Sequence, residues 1–293
     1  MLSSIDPFRY DAHTAARREG GRLVDAGEFK GKTVVVTGGA SGIGRAIIEA
    51  FVRHGAKGIL VDVDSEWGSQ RADLLRREGC DVTFLKADVR NSDQVARVFE
   101  VVAAEHHGTD VLVNCAGVGV HKEVVELTEE EWDFQVDIQL KGVFLTCREA
   151  ARQMIAQERG GRIINIGSGA ALVARPHAGP HCASKAGAAH LTRVLALELG
   201  PHGITANVVS PGLTDVGPTS HWGGSTPDYQ RNFLPEVPLG RLARPEEIAD
   251  AVLFFASDKA KFITGQLINI DGGYTAGKLG IRGSHRPTPL TFA

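Results

Sequence analysis

Short apolar runs alternate with amphipathic stretches along most of this chain. Runs rich in Val, Ile and Leu occupy residues 32–36, 58–63, 82–87, 111–113, 162–166, 205–209 and 266–270. They are strand-length and bounded by turn-forming or charged residues, which predicts buried strands. Between them apolar positions recur every third or fourth residue, which predicts helices over 43–53, 69–77, 92–105, 181–199 and 245–255. Gly55 and Gly58 punctuate the end of the first helix, and Ser92 is the expected N-cap of another. Residues 130–154 read as one long interrupted helix, with Trp132, Val136, Leu140, Val143 and Phe144 as its inward face. This alternation with short connections describes an α/β fold, a doubly wound parallel sheet with helices on both faces. In such sheets ligands gather at the carboxyl ends of the strands.

The flanks carry weaker patterns. Residues 1–30 form an extension in which 12–24 could be helical, exposing Arg17, Arg18 and Arg22, and a solvated arm is the expectation there. Residues 213–240 are irregular, rich in Pro and Gly, and carry Trp222, Tyr229 and Phe233. Residues 276–293 are a Gly/Pro-containing tail that either reaches a neighbouring subunit or is disordered.

Composition narrows the class. A chain of 293 residues with 43% hydrophobic residues can build one large domain or two small ones. The net charge of -3 argues against a general nucleic-acid or anionic-membrane surface. Cys80, Cys115, Cys147 and Cys182 are dispersed, without metal-ligand spacing, and read as reduced thiols of a cytoplasmic protein. No apolar run approaches membrane-spanning length, and the N-terminus lacks an apolar signal core. His106, His107, His202 and His221 share no ligand spacing, so no metal site is expected.

The chemistry begins at Thr37-Gly38-Gly39-Ala40-Ser41-Gly42-Ile43-Gly44, between the first strand and the first helix. Backbone N–H groups at a helix N-terminus, with the helix dipole behind them, favour a pyrophosphate. Gly38 supplies the turn, Gly42 lets backbone approach the phosphates, and Gly44 lets helix and strand pack closely. Asp62 lies 18 positions beyond Gly44, close to the spacing of a ribose-binding acid. Its carboxylate can accept both adenosine ribose hydroxyls and would repel a 2′-phosphate. No Arg or Lys stands beside Gly38 to welcome that phosphate, so NAD(H) is favoured over NADP(H). Asp64 is the rival acid, with a solvated or capping role as its expectation.

Taken with Asp88-Val89, Asn114-Cys115-Ala116-Gly117, Ser168, Lys185, Pro211-Gly212, Ile263-Thr264-Gly265-Gln266 and Asp271-Gly272-Gly273, the chain resembles the short-chain dehydrogenases/reductases of the single-domain type. The resemblance covers roughly residues 30–275, which makes 31–275 the catalytic domain and 213–240 its substrate lid. It implies that Ser41, Ile43 and the three turn glycines cradle the cofactor. It also implies that Asp88 and Val89 flank the adenine, and that Asn114, Ala116 and Gly117 lie along the cofactor. Lys185 would hold the nicotinamide ribose, and Pro211, Gly212 and Thr214 would meet the carboxamide. Val216 stands where a further threonine is usual. A homodimer or homotetramer built on the two long helices is implied as well.

The same resemblance exposes two departures. The family uses a serine, a tyrosine, a lysine four residues later, and an upstream asparagine. Ser168 and Lys185 match, but the tyrosine position holds His181 and the asparagine position holds Gln139. Three readings stay open. His181 replaces the tyrosine as acid/base, its pKa lowered by Lys185, which suits alcohol oxidation with NAD. Alternatively, the site performs dehydration, cyclisation or isomerisation with His181 as a base. Or the chain binds cofactor without turnover. Gln139 could carry a relay water, and His177 could assist His181, although an exposed loop histidine is the simpler expectation.

Overall fold

The first strand, β1 (Thr33–Thr37), is buried along its whole length and pairs on both sides. A computed structural model describes residues 27–217 and 227–277. The expected helix at 12–24, Trp222, and residues 278–293 of the tail lie outside the described residues. From β1 the chain alternates regularly: α1 (Gly42–Arg53), β2 (Lys57–Asp62), α2 (Ser65–Arg77), β3 (Val82–Lys86), α3 (Ser92–His106) and β4 (Val111–Asn114). It continues through α4 (Glu129–Val136), α5 (Gly142–Gln157), β5 (Gly161–Ile166), α6 (Gly179–Leu199) and β6 (Ile204–Pro211). Last come α7 (Pro227–Phe233), α8 (Pro245–Ala256) and β7 (Leu267–Ile270).

The seven strands form one parallel sheet in the order β3-β2-β1-β4-β5-β6-β7. The order reverses between β1 and β4, and that switch opens a crevice at the carboxyl ends. Each face has its own apolar core. Ile47, Ile48, Phe51, Leu75, Ile248 and Val252 seal one face; Phe99, Val102, Leu145, Met154, Leu199 and Ile204 belong to the other. Strands covered on both sides read as continuous apolar runs, as β1 and β4 do.

Several local expectations are corrected. Helix α2 starts at Ser65, four residues early, because the Asp64 carboxylate accepts the N–H groups of Glu66 and Trp67. Asp64 is thus the capping acid. The cap of α3 is Asn91 instead of Ser92: its side-chain oxygen accepts from Asp93 and Gln94 N–H. The long pattern at 130–154 divides into α4, a π-helical turn over Asp137–Lys141, and α5. That extra residue per turn rotates the faces. Val143 is buried, whereas Trp132 and Phe144, expected inside, are 39% and 45% exposed. A π turn within a helix marks functional sites often enough to draw attention to Gln139 at its centre. In the stretch expected to be irregular, the described part includes α7.

Candidate active site

The crevice is a cavity of about 910 Å³ lined by the loops that follow β1 to β6. At its floor the glycine turn requires glycine for three different reasons. Gly38 has φ +67, and a Cβ there would sit 2.8 Å from the Ala116 backbone. Gly42 has φ +54 and opens α1. A Cβ on Gly44 would stand 2.1 Å from the Gly38 carbonyl oxygen. The Ser41 side chain makes no capping hydrogen bond to α1, and the first turn holds no acid. Its amide donors therefore stay available to an anion.

Asp62 sits at the tip of β2. One oxygen accepts from Ala40 N–H at 3.0 Å and the other from Asp64 N–H at 3.1 Å. Burial pushes its carboxyl above the usual range, and these amides, with that of Val63, oppose the shift. Each oxygen retains a lone pair for a ribose hydroxyl. Asp88 and Val89 also line the cavity, but the Asp88 carboxylate is gripped bidentately by Arg90 at 2.6–3.0 Å. Ile43, Ala116, Gly117, Pro211, Gly212 and Thr214 all reach the cavity wall.

Asn114 does not line the cavity. Its register on β4 sets it opposite Asn165 on β5, and its amide donates to Asn165 Oδ1 at 2.8 Å. Its oxygen accepts from Thr146 Oγ1 at 2.7 Å, and Asn165 in turn donates to Thr192 Oγ1. Its side chain thus belongs to a buried polar clamp joining β4 and β5 to α5 and α6. Fully satisfied, such a network specifies the packing beneath the site.

Ser168, His181, Lys185 and Gln139 come together in the same cavity. The decisive geometry starts from Val118, whose carbonyl can only accept. Gln139 Nε2 donates to it in a short contact, and Gln135 Nε2 donates to it at 3.0 Å. The Gln139 amide is therefore oriented with its oxygen toward His181, 3.0 Å from Nδ1. An acceptor there requires the proton on Nδ1 and leaves Nε2 with its lone pair. Burial, then the positive charges of Lys185, Arg175 and His121, pull the imidazole down to about 3, so it is neutral throughout the physiological range.

Lys185 is buried, and its ammonium donates to the Ile166 carbonyl at 2.7 Å. Burial lowers it to about 8. Of its three N–H donors two remain for a ligand. Ser168 caps a short turn by accepting from Ala170 N–H at 3.2 Å. That bond uses a lone pair and leaves the hydroxyl proton free to donate.

Other wall residues carry no motif. Arg175, on the loop between β5 and α6, lines the cavity and donates through Nη1 to the Tyr229 hydroxyl at 2.8 Å. His177 beside it is exposed, lines the cavity, and holds φ +59, an uncommon conformation for a side-chain-bearing residue. His121 is bonded to the His177 backbone, and its imidazole is lowered by burial and by Arg175. A basic residue between two site positions was the only signal for Arg175. Among the described residues no group of three or more His, Cys, Asp or Glu could hold a metal ion. No helix there is long and apolar enough to cross a membrane.

A parallel sheet with a glycine cradle at its switch point, an acid at the tip of β2, and a Ser/Lys pair on β5 and α6 defines a Rossmann-type oxidoreductase. Comparison with known proteins is specific. A family model described as enoyl-(acyl carrier protein) reductase matches residues 38–275. A D-threitol dehydrogenase of Mycolicibacterium smegmatis is 39% identical over 247 residues, covering 84% of this chain and 93% of that protein. An NAD-dependent glycerol dehydrogenase of Listeria innocua is 36% identical over 246 residues, covering 83% and 94%. The crystal structure of a short-chain type dehydrogenase/reductase from Mycobacterium marinum matches with a TM-score of 0.80 at 33% identity, covering 85% and 97%. The chain belongs to the short-chain dehydrogenase/reductase family, oxidoreductases of hydroxyl and carbonyl compounds that use NAD(P).

Proposed function

We propose that this protein is an NAD-dependent dehydrogenase that oxidises a hydroxyl compound, with His181 in the place of the tyrosine its family uses. The observation that carries this reading is the bond from His181 Nδ1 to Gln139 Oε1, which leaves Nε2 as a proton acceptor in the cavity.

The residues present fit the dinucleotide. The uncapped start of α1 offers N–H groups to its pyrophosphate. Asp62 has lone pairs for the adenosine ribose, Asp88 and Val89 would lie beside the adenine, and Lys185 would hold the second ribose. Pro211, Gly212 and Thr214 would face the carboxamide. Asp62 supports NAD over NADP, as does Arg90, a cavity-lining guanidinium whose Nε and Nη2 are engaged by Asp88. When bound, the cofactor supplies a hydride acceptor for the carbinol carbon. Ser168 donates its hydroxyl proton to the substrate oxygen and orients it. His181 Nε2 takes the proton that leaves that oxygen. Gln139 accepts the Nδ1–H bond and stabilises the imidazolium that forms. Neutral His181 favours this direction, because carbonyl reduction needs the imidazole charged.

The same reading makes the protein a cytoplasmic homo-oligomer. Phe144 and Ile155 on α5, and Val194 and Leu197 on α6, are exposed apolar side chains, which supports pairing of these helices between subunits. The four cysteines are free thiols. The test is a fluorescence titration with NADH and NADPH, followed by a panel of alcohols and ketones monitored by nicotinamide absorbance. Tighter NADH binding and alcohol-dependent reduction of NAD support the proposal. Conversion of a substrate without that absorbance change would replace it with non-redox chemistry.

A further inference from the structure

Charge along the cavity wall is segregated. The wall's carboxylates, Asp62, Asp64 and Asp88, follow β2 and β3 on one wing of the sheet. The other wing, beyond the switch point, presents His121, Arg175, His177, His181 and Lys185, with no carboxylate among the described wall residues. Lys185 and His181 have roles in the reading above. Arg175 does not. A guanidinium stays charged under all ordinary conditions, and no ion pair neutralises this one among the described residues. Its Nη1 is held by Tyr229, so the planar group is fixed from one side. Its Nε–H is withdrawn from solvent and meets no acceptor among the described residues. A buried donor left unmade is costly and calls for an explanation.

We propose that the substrate is a hydroxycarboxylate whose carboxylate seats on the Arg175 guanidinium, while its hydroxyl group lies between Ser168 and His181. This deepens the dehydrogenase reading and rests on it. With Nη1 engaged by Tyr229 and Nε withdrawn from solvent, Nη2 is the donor left to a carboxylate oxygen. Ile138 and Val118 line the cavity too and add apolar surface for a carbon skeleton. The seat also bears on the chemistry. Arg175 is one of the charges that hold the imidazole down. An anion on the guanidinium offsets that charge and makes Nε2 a stronger base only once substrate has arrived.

Calorimetry on the full-length protein, with and without NADH, tests this with matched pairs: lactate, 3-hydroxybutyrate, mandelate and 4-hydroxycyclohexanecarboxylate, each against its primary amide. NADH in place of NAD+ prevents turnover. We expect at least one acid to bind about tenfold or more tightly than its amide. Arg175→Gln should erase that preference and leave NADH affinity within about twofold, and Arg175→Lys, which keeps the charge without the fork, should retain part of it. If every amide binds as tightly as its acid, or if Arg175→Gln keeps the preference, the proposal is overturned. The wild-type comparison alone decides should the variants fail to fold. The dehydrogenase reading fails in a different way: hydroxy acids bind through Arg175, but neither they nor neutral alcohols reduce NAD+.

Discussion

Replacing Gln139 by Leu removes one acceptor at nearly constant volume. The Val118 carbonyl keeps its bond from Gln135 at 3.0 Å, so the loss falls on the Nδ1–H of His181. A buried donor without a partner costs about 1–3 kcal/mol. The imidazole escapes that cost by moving its proton to Nε2, where it can no longer accept one from substrate. The ground state therefore recovers while the transition state does not, and kcat should fall about 5- to 150-fold. NADH affinity should change little. Stopped-flow measurement of NAD reduction gives the rate, and two-bond proton–nitrogen NMR correlation gives the tautomer directly. Wild-type turnover in Gln139→Leu, or an Nε2–H tautomer in the wild-type protein, would refute the reasoning.

Asp62→Ser should weaken NADH binding about 10- to 100-fold, the worth of charge-assisted hydrogen bonds, and shift preference toward NADPH in the same fluorescence titration. Gly44→Ala forces a methyl group against the Gly38 carbonyl, 2.1 Å from its oxygen, and overpacking of about 1–3 kcal/mol should lower Tm by roughly 2–10 °C and abolish the cradle. In kcat/KM against pH, the profile should be flat through neutrality, without an inflection at ordinary imidazole values, and should fall above about 8 as Lys185 loses its proton. His181 also links stability to pH: the unfolded chain takes up its proton near the ordinary imidazole value of 6.5 and the folded protein only at about 3, so stability drops as pH falls through that window. The slope is at most about 1.4 kcal/mol per pH unit, and His181→Phe should flatten it in urea titrations.

What could be read from the chain was what local backbone geometry demands. The turn at Gly38 and Gly42 needs positive φ, and Gly44 needs the absence of a Cβ, so residue type alone marks them. Asp62 is legible because a carboxylate at a strand tip has a fixed spacing from that turn. The side-chain clamp at Asn114 was not legible because β4 is buried on both faces, and a continuous apolar run does not disclose which polar side chains bond beneath it. The inward face assigned to Trp132 and Phe144 failed because a π turn between them breaks the helical period. Gln139 was noticed only by its position. Its function depends on a carbonyl at Val118, in another loop, which no spacing announces. Arg175 depends likewise on Tyr229, more than 50 residues away, and on the lack of acids nearby.

The account's central claim is that an imidazole takes the proton while the cofactor takes the hydride. Single-turnover NAD reduction by the wild-type protein and by His181→Phe, at matched NADH affinity, measures it most directly. General base catalysis is worth about 10²- to 10⁴-fold, and a loss within that range is the predicted result. Equal rates in the two proteins would contradict it.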